Sequence, residues 1–201
     1  MTDSPCELPD DNDVDVSLMA KVARGDHSAF EELVHRHHHA VVGTVAKMLG
    51  SFHSAEDIGQ QVFLRLWKSA PRYKPTAKFT TFLFTITRNL VFNETRRKSR
   101  RKEHSLEERE QDWHQEIPQE ADQRPDAQFL HSELQAAVDH AIADLPDKQR
   151  MAVILRRYEN MPYDEIGKVL GISIPAVKSQ LFRARTSLRN ALTQFLDDGR
   201  A

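Results

Sequence analysis

Cysteine is almost missing: Cys6 stands alone in 201 residues. A disulfide framework is therefore excluded, and a reducing cytoplasm fits this usage. Only seven glycines and nine prolines punctuate the chain. Leu, Val, Ile and Ala recur at helical spacing, so the fold class is all-α. No apolar run reaches membrane length and no signal peptide or anchor is present, so direct membrane insertion is not expected. No period repeats. Catalytic patterns are lacking too: there is no Ser/His/Asp set, no phosphate-cradling glycine loop and no Cys/His metal spacing. An enzyme is not expected, and no cofactor is called for.

Net charge is also small, formally -2, which by itself argues against a nucleic-acid binder. The average hides a segregation. Residues 1–14 are acidic, with Asp3, Glu7, Asp10, Asp11 and Asp13, and read as a disordered tail. Arg88, Arg96, Arg97, Lys98, Arg100, Arg101 and Lys102 form a basic block. Residues 103–126 are acidic again, and 148–189 are basic. Two basic surfaces separated by an acidic link suit a polyanion better than the total does.

The organisation follows from these shifts. Residues 15–101 form a first helical domain, 102–127 a flexible acidic linker broken by Pro118 and Pro125, and 128–197 a second helical domain. In the first domain, Ser28 with Glu31 reads as a capping box, and Ser54 with Asp57 as another. His35, His38 and His39 share a helix face at metal-ligand spacing. No Cys or carboxylate nearby completes a set, and a solvated basic face is the default reading.

Ile58, Val62 and Leu66 give the next helix a core stripe, while Phe63, Leu64 and Trp67 point elsewhere. A second partly apolar face suits a docked partner, or simply the centre of a bundle. A proline-punctuated loop with Arg72, Tyr73, Lys74 and Lys78 follows, then a helix over about 79–98. Phe79, Leu83, Ile86 and Leu90 form its buried stripe. Thr81, Phe84, Arg88, Phe92 and Thr95 lie opposite. Exposed aromatics among cations suit unstacked bases, and spare core phenylalanines would give the same pattern.

The second domain ends in MPYDEIGKVLGISIPAVKSQLFRARTSLR, residues 161–189. Pro162 suits a helix start, Gly171 a left-handed stop, and a second helix carries Val177, Leu181, Ala184 and Leu188 on one face. The opposite face offers Pro175, Ser179, Phe182, Arg183, Thr186 and Arg189, with Lys178 and Arg185 on a shoulder. A helix buried on one side, with hydroxyls and guanidiniums on the other, fits a major groove.

Three stretches in order carry a family resemblance. They are AEDIGQQVFLRLW at 55–67, FTTFLFTITRNL at 79–90, and LPDKQR at 145–150 leading to VKSQLFRAR at 177–185. With these, the chain resembles bacterial RNA polymerase sigma factors of the extracytoplasmic-function (ECF) group of the sigma-70 family. The resemblance implies a σ2-like and a σ4-like domain that direct core RNA polymerase to promoters and open the DNA. It places Asp57, Gln60, Gln61, Phe63 and Trp67 on the polymerase-binding helix, against the clamp. The second domain would meet the flap. Tyr73, Lys74, Lys78, Phe84, Arg88, Asn89, Arg96 and Arg97 would bind and open the minus-ten element. Ser173, Pro175, Ala176, Lys178, Ser179, Arg183 and Arg185 would read the minus-thirty-five element. Control by a separate anti-sigma factor is implied as well.

Some positions depart from the family pattern. Gln61 stands where an acid is usual, Phe82 and Phe84 replace Trp and Tyr, Asn93 replaces Asp, and Pro175 is less common at its place. The rival reading is a free-standing regulator that binds duplex operators as a dimer. It has no evident use for the basic-aromatic helix.

Overall fold

The computed structural model describes residues 10–104 and 125–198, with side chains for 10–100 and 134–193. Eight α-helices account for the described residues: α1 Asp11–Val22, α2 His27–Leu49, α3 Phe52–Ser69, α4 Phe79–His104, α5 Pro125–Ala143, α6 Asp147–Arg157, α7 Tyr163–Leu170 and α8 Ile174–Asp198. A short 3-10 turn, Ala70–Arg72, extends α3.

Local chemistry sets the helix ends, not always where the sequence suggests. Asp26, rather than Ser28, caps α2 by accepting from the Ala29 N–H at 3.0 Å. Ser51, rather than Ser54, caps α3. Gly50 and Gly171 stop α2 and α7 at φ 67° and 66°, where a side chain would be strained. Pro162 is the N-cap of α7, one residue outside the position expected for it. Ser173 begins α8 by accepting from the Ala176 N–H.

The largest local departure is at the start. Helix α1 begins at Asp11, so 11–14 are helical although their composition reads as a disordered tail; residues 1–9 lie outside the described part. Long-range partners decide it. Asp11 and Asp15 pair with Arg36 of α2, and the Asn12 side chain accepts from the Phe79 N–H at 2.9 Å, capping α4. Likewise α4 continues to His104 and α5 begins at Pro125. Both helices therefore run into the stretch expected to be linker.

Helices α1 to α4 pack as one bundle around Met19, Leu33, Val45, Met48, Val62, Leu66, Phe79 and Leu83. Burying each such side chain favours the fold by about 1.5–3 kcal/mol. Helices α5 to α8 form the second unit around Met151, Ile154, Leu155, Ile166, Val169, Val177 and Leu181. The units are not independent. Helix α7 packs on α4, α6 and α5 pack on α2, and the buried apolar cluster continues from one unit into the other.

Polar contacts cross the same seam. Arg150 of α6 donates to the Met48 carbonyl at the end of α2 at 2.7 Å, and also to those of Ala143 and Leu145. It thereby closes the carbonyl ends of two helices with one fork of donors.

Candidate nucleic-acid interface

Helices α7 and α8, joined at Gly171, form a helix-turn-helix. Val177, Leu181 and Ala184 are buried against α6 and α7, and Leu188 is half-buried. That anchors α8 by one stripe and turns its other side outward. Ser173, Pro175, Lys178, Ser179, Arg183 and Arg185 are all exposed there, and Ala176 is half-buried. No carboxylate among the described residues pairs with Lys178, Arg183 or Arg185. Their charges stay available to an anion. Phe182 lies on the same face, 71% exposed. A large aromatic held in water beside unpaired guanidiniums is open to a partner surface.

The first unit carries the second basic surface. Lys74, Lys78, Asn89, Arg96 and Arg97 are exposed. Arg97 pairs with Glu94 at 2.9 Å, one turn back on α4. Tyr73 is half-buried, its ring 5.0 Å from Phe82, and its buried hydroxyl has no hydrogen-bond partner. Burial pushes the Tyr73 phenol pKa up, and the charge of Asp15 adds to this. Arg88 is half-buried beneath the surface of α4, 6.0 Å from the Phe92 ring, and its Nε is unsatisfied. Burial alone lowers its pKa. Phe84 breaks the expected pattern. At 2% exposure it is core, and the stripe Thr81, Phe84, Arg88, Phe92 and Thr95 offers no row of open aromatics.

Helix α3 presents a third surface. Asp57, Gln60, Gln61 and Leu64 fall on one face at i, i+3, i+4 and i+7, all exposed. Leu64 is 57% exposed, and the same spacing in the sequence would have joined it to the three polar residues. Phe63 is instead buried at 5% exposure, under the His38 ring. Trp67 is half-buried between His27, stacked at 4.8 Å, and Phe30 at 5.0 Å. Both aromatics support the face from beneath rather than forming it.

The histidines separate in the fold. His37 lies 2.8 Å from buried Asp15, and His38 lies 3.4 Å from Glu56, while His35 and His39 are exposed. Among the described residues, no group of three or more His, Cys, Asp or Glu is arranged to hold a metal ion. None of the described helices is long and apolar enough to cross a membrane.

Comparison with known proteins agrees with this layout. The Sigma-70 region 2 family matches residues 33–101, and the Sigma-70, region 4 family matches 135–188. The ECF RNA polymerase sigma factor SigE of Mycolicibacterium smegmatis is 33% identical over 196 residues, covering 96% of this chain and 73% of that protein. The RNA polymerase sigma-H factor of Pseudomonas aeruginosa is 28% identical, covering 90% of this chain and 95% of that one. Among solved structures, CnrH in complex with the cytosolic domain of CnrY superposes with a TM-score of 0.68 at 23% identity. That match covers 90% of this chain and 99% of CnrH. The sigma factor RpoE from Bartonella quintana, in complex with the anti-sigma factor NepR, gives 0.67 at 21% identity, covering 82% and 96%. With both sigma-70 regions matched in order and a 33% identical relative along nearly its whole length, the chain belongs to the ECF group of the sigma-70 family of RNA polymerase sigma factors.

Proposed function

We propose that the three surfaces divide the work of promoter selection. The α3 face of Asp57, Gln60, Gln61 and Leu64 docks core RNA polymerase, with Phe63 and Trp67 holding it in shape. The exposed side of α8 reads the minus-thirty-five duplex. Ser173, Ala176 and Ser179 approach base edges near the helix N-terminus, Phe182 offers an apolar contact to a thymine methyl, and Lys178, Arg183 and Arg185 meet phosphates or guanine. The observation that carries this reading is the row of cations on α8 without protein partners beside an exposed Phe182.

Lys74, Lys78, Arg96 and Arg97 hold the minus-ten backbone, while Tyr73, Arg88 and Asn89 bind the separated strand and Phe84 stays in the core beneath α4's surface. The exposure of Lys74, Lys78, Asn89, Arg96 and Arg97 on the basic side of the first unit supports this assignment. The chain transfers no group. Affinity for the opened strand over the duplex shifts the equilibrium towards opening. Such a subunit works in the cytoplasm, beside polymerase and chromosome. An anti-sigma factor is the fitting regulator, because the sigma factor RpoE from Bartonella quintana, which shares this fold, is held by the anti-sigma factor NepR.

Run-off transcription by core RNA polymerase, with and without the protein, tests the proposal. Discrete new transcripts that are lost in Asp57→Ala and Arg88→Ala variants are expected. Tight duplex binding by the protein alone, with no stimulation of polymerase, would instead indicate a free-standing regulator.

A further inference from the structure

Helix α1 lies ahead of residues 33–101, the part matched by the Sigma-70 region 2 family. It nevertheless fastens the loop that the proposed function gives to the minus-ten strand. That loop, 73–78, is largely exposed, and within it the Thr76 N–H closes a turn on the Lys74 carbonyl at 2.8 Å. Such a turn does not fix the course of an exposed loop; its two ends do. Helix α1 packs on both sides of it, on the Ala70–Arg72 turn before the loop and on α4 after it. The end at α4 is held from a distance. Lys78 occupies the N-cap position, its carbonyl accepting from the Phe82 N–H at 3.3 Å. An ammonium has donors only, so Lys78 cannot cap the helix it precedes, and its charge is unfavourable at the positive helix end. Its amine lies 3.1 Å from Glu165 instead. Asn12 supplies the missing acceptor from 67 positions away, taking the Phe79 N–H at 2.9 Å.

The contact carries through to the loop's aromatic residue. The Phe79 side chain is fully buried, its ring 6.4 Å from the Tyr73 ring and 5.1 Å from that of His37. Tyr73 in turn lies 5.0 Å from Phe82, near the start of the same helix. The first turn of α4 is thus the platform on which Tyr73 rests, and fraying it would let ring and loop shift together. Asp15, one turn after Asn12, ties α1 to Arg36 and His37 of α2 at 2.8 Å each, so the acceptor is presented from a fixed helix. Position 78 is thereby left to a cation, which suits a strand backbone, where a helix start ordinarily selects Ser, Thr, Asp or Asn. We infer that α1 belongs to the minus-ten reader: Asn12 is a positioning residue that acts through the Phe79 amide to hold the 73–78 loop and the Tyr73 ring in the shape that receives the separated strand. The inference rests on the proposed function and extends it to a helix outside the residues assigned to DNA.

The test uses the full chain in holoenzyme with core RNA polymerase. It compares the parent with Asn12→Ala, which deletes the acceptor, and Asn12→Asp, which keeps it. The probes are a fluorescent single-stranded minus-ten oligonucleotide and a minus-thirty-five duplex, both from a promoter mapped by run-off transcription. Asn12→Ala is expected to bind the single strand about five-fold more weakly, the ordinary worth of one helix cap, with core and duplex affinities unchanged. Asn12→Asp should restore strand binding, because aspartate caps as well as asparagine. Hydrogen exchange by NMR in the free chain should show the Phe79 amide opening faster in Asn12→Ala and returning to the parent rate in Asn12→Asp. Equal strand affinity in a folded Asn12→Ala variant overturns the positioning role. So does a parallel loss of core, duplex and strand binding, which would mean general support of the fold. Weak strand binding that Asn12→Asp does not recover overturns the cap as its cause. No transcript from the parent sinks the promoter reading, and the positioning role with it.

Discussion

Asp15 of α1 is 1% exposed and is held by two neighbouring residues of α2, Arg36 through Nε at 2.8 Å and His37 through Nε2 at 2.8 Å. A buried carboxylate is tolerable only with such partners, and the pair fixes α1 across the bundle. Asp15→Ala would leave Arg36 Nε and the His37 ring facing an empty site, with only the exposed Asp11 still on the guanidinium. The expected loss is about 2–3 kcal/mol, below the ~3–5 kcal/mol of a fully buried pair because Arg36 keeps a quarter of its side chain in water. Urea unfolding of the two proteins measures it; a change under about 0.5 kcal/mol, the size of an ordinary surface substitution, would mean the pair does not hold α1.

Gly59 lets α2 and α3 approach closely. A Cβ there would meet Val42 Cγ2 at 2.9 Å. Gly59→Ala gains up to about 1 kcal/mol in helix propensity but overpacks the contact at a cost of about 1–3 kcal/mol. Net destabilisation is expected. Adding Val42→Ala should make room, so the double variant loses less than the two single losses summed. Strict additivity in thermal unfolding would show that the contact is not close.

Glu159 lies at the seam, accepting from Thr44 at 3.1 Å among His37, His39 and Lys47 of α2. Burial raises its pKa, against the smaller opposing effects of the Thr44 hydrogen bond and the neighbouring basic side chains. The folded chain then binds a proton at a pH where the unfolded chain has released it. This contribution to stability is full below the ordinary glutamate pKa and is lost as pH rises through the raised value. Glu159→Gln should flatten that part of the pH profile and be no less stable than the parent at pH 7. Urea midpoints at pH 5 and 7 compare the two; parallel profiles would contradict the assignment.

On α8, Phe182→Ala should leave stability within about 0.5 kcal/mol, since the ring is mostly in water. Promoter binding should fall. Arg183→Ala should cost about 1–3 kcal/mol and relax specificity at one position where it contacts a base, or lower the salt slope by about 1 where it contacts a phosphate. Mobility shifts over a salt series separate the two. Binding unchanged at every salt would remove Arg183 from the interface.

Much of this protein is written in local pattern. The all-α class, the Gly171 stop, the buried stripe of Val177, Leu181 and Ala184, and the outward cations of α8 all follow from a 3.6-residue period and one left-handed residue. Those choices involve neighbours within two turns, so the sequence alone determines them. The same period cannot say which apolar side of a helix meets solvent. Phe63 and Phe84 are therefore core although both suit an exposed face, and Leu64 is exposed although it suits a core. Helix α1 needs Arg36, 21 positions away, before its acidic start becomes ordered. The docking of one unit on the other rests on Thr44 with Glu159, Thr81 with Glu165 and Met48 with Arg150. Partners 84 to 115 residues apart leave no periodic trace, because their attraction exists only once both helical units have folded and brought them within bonding distance.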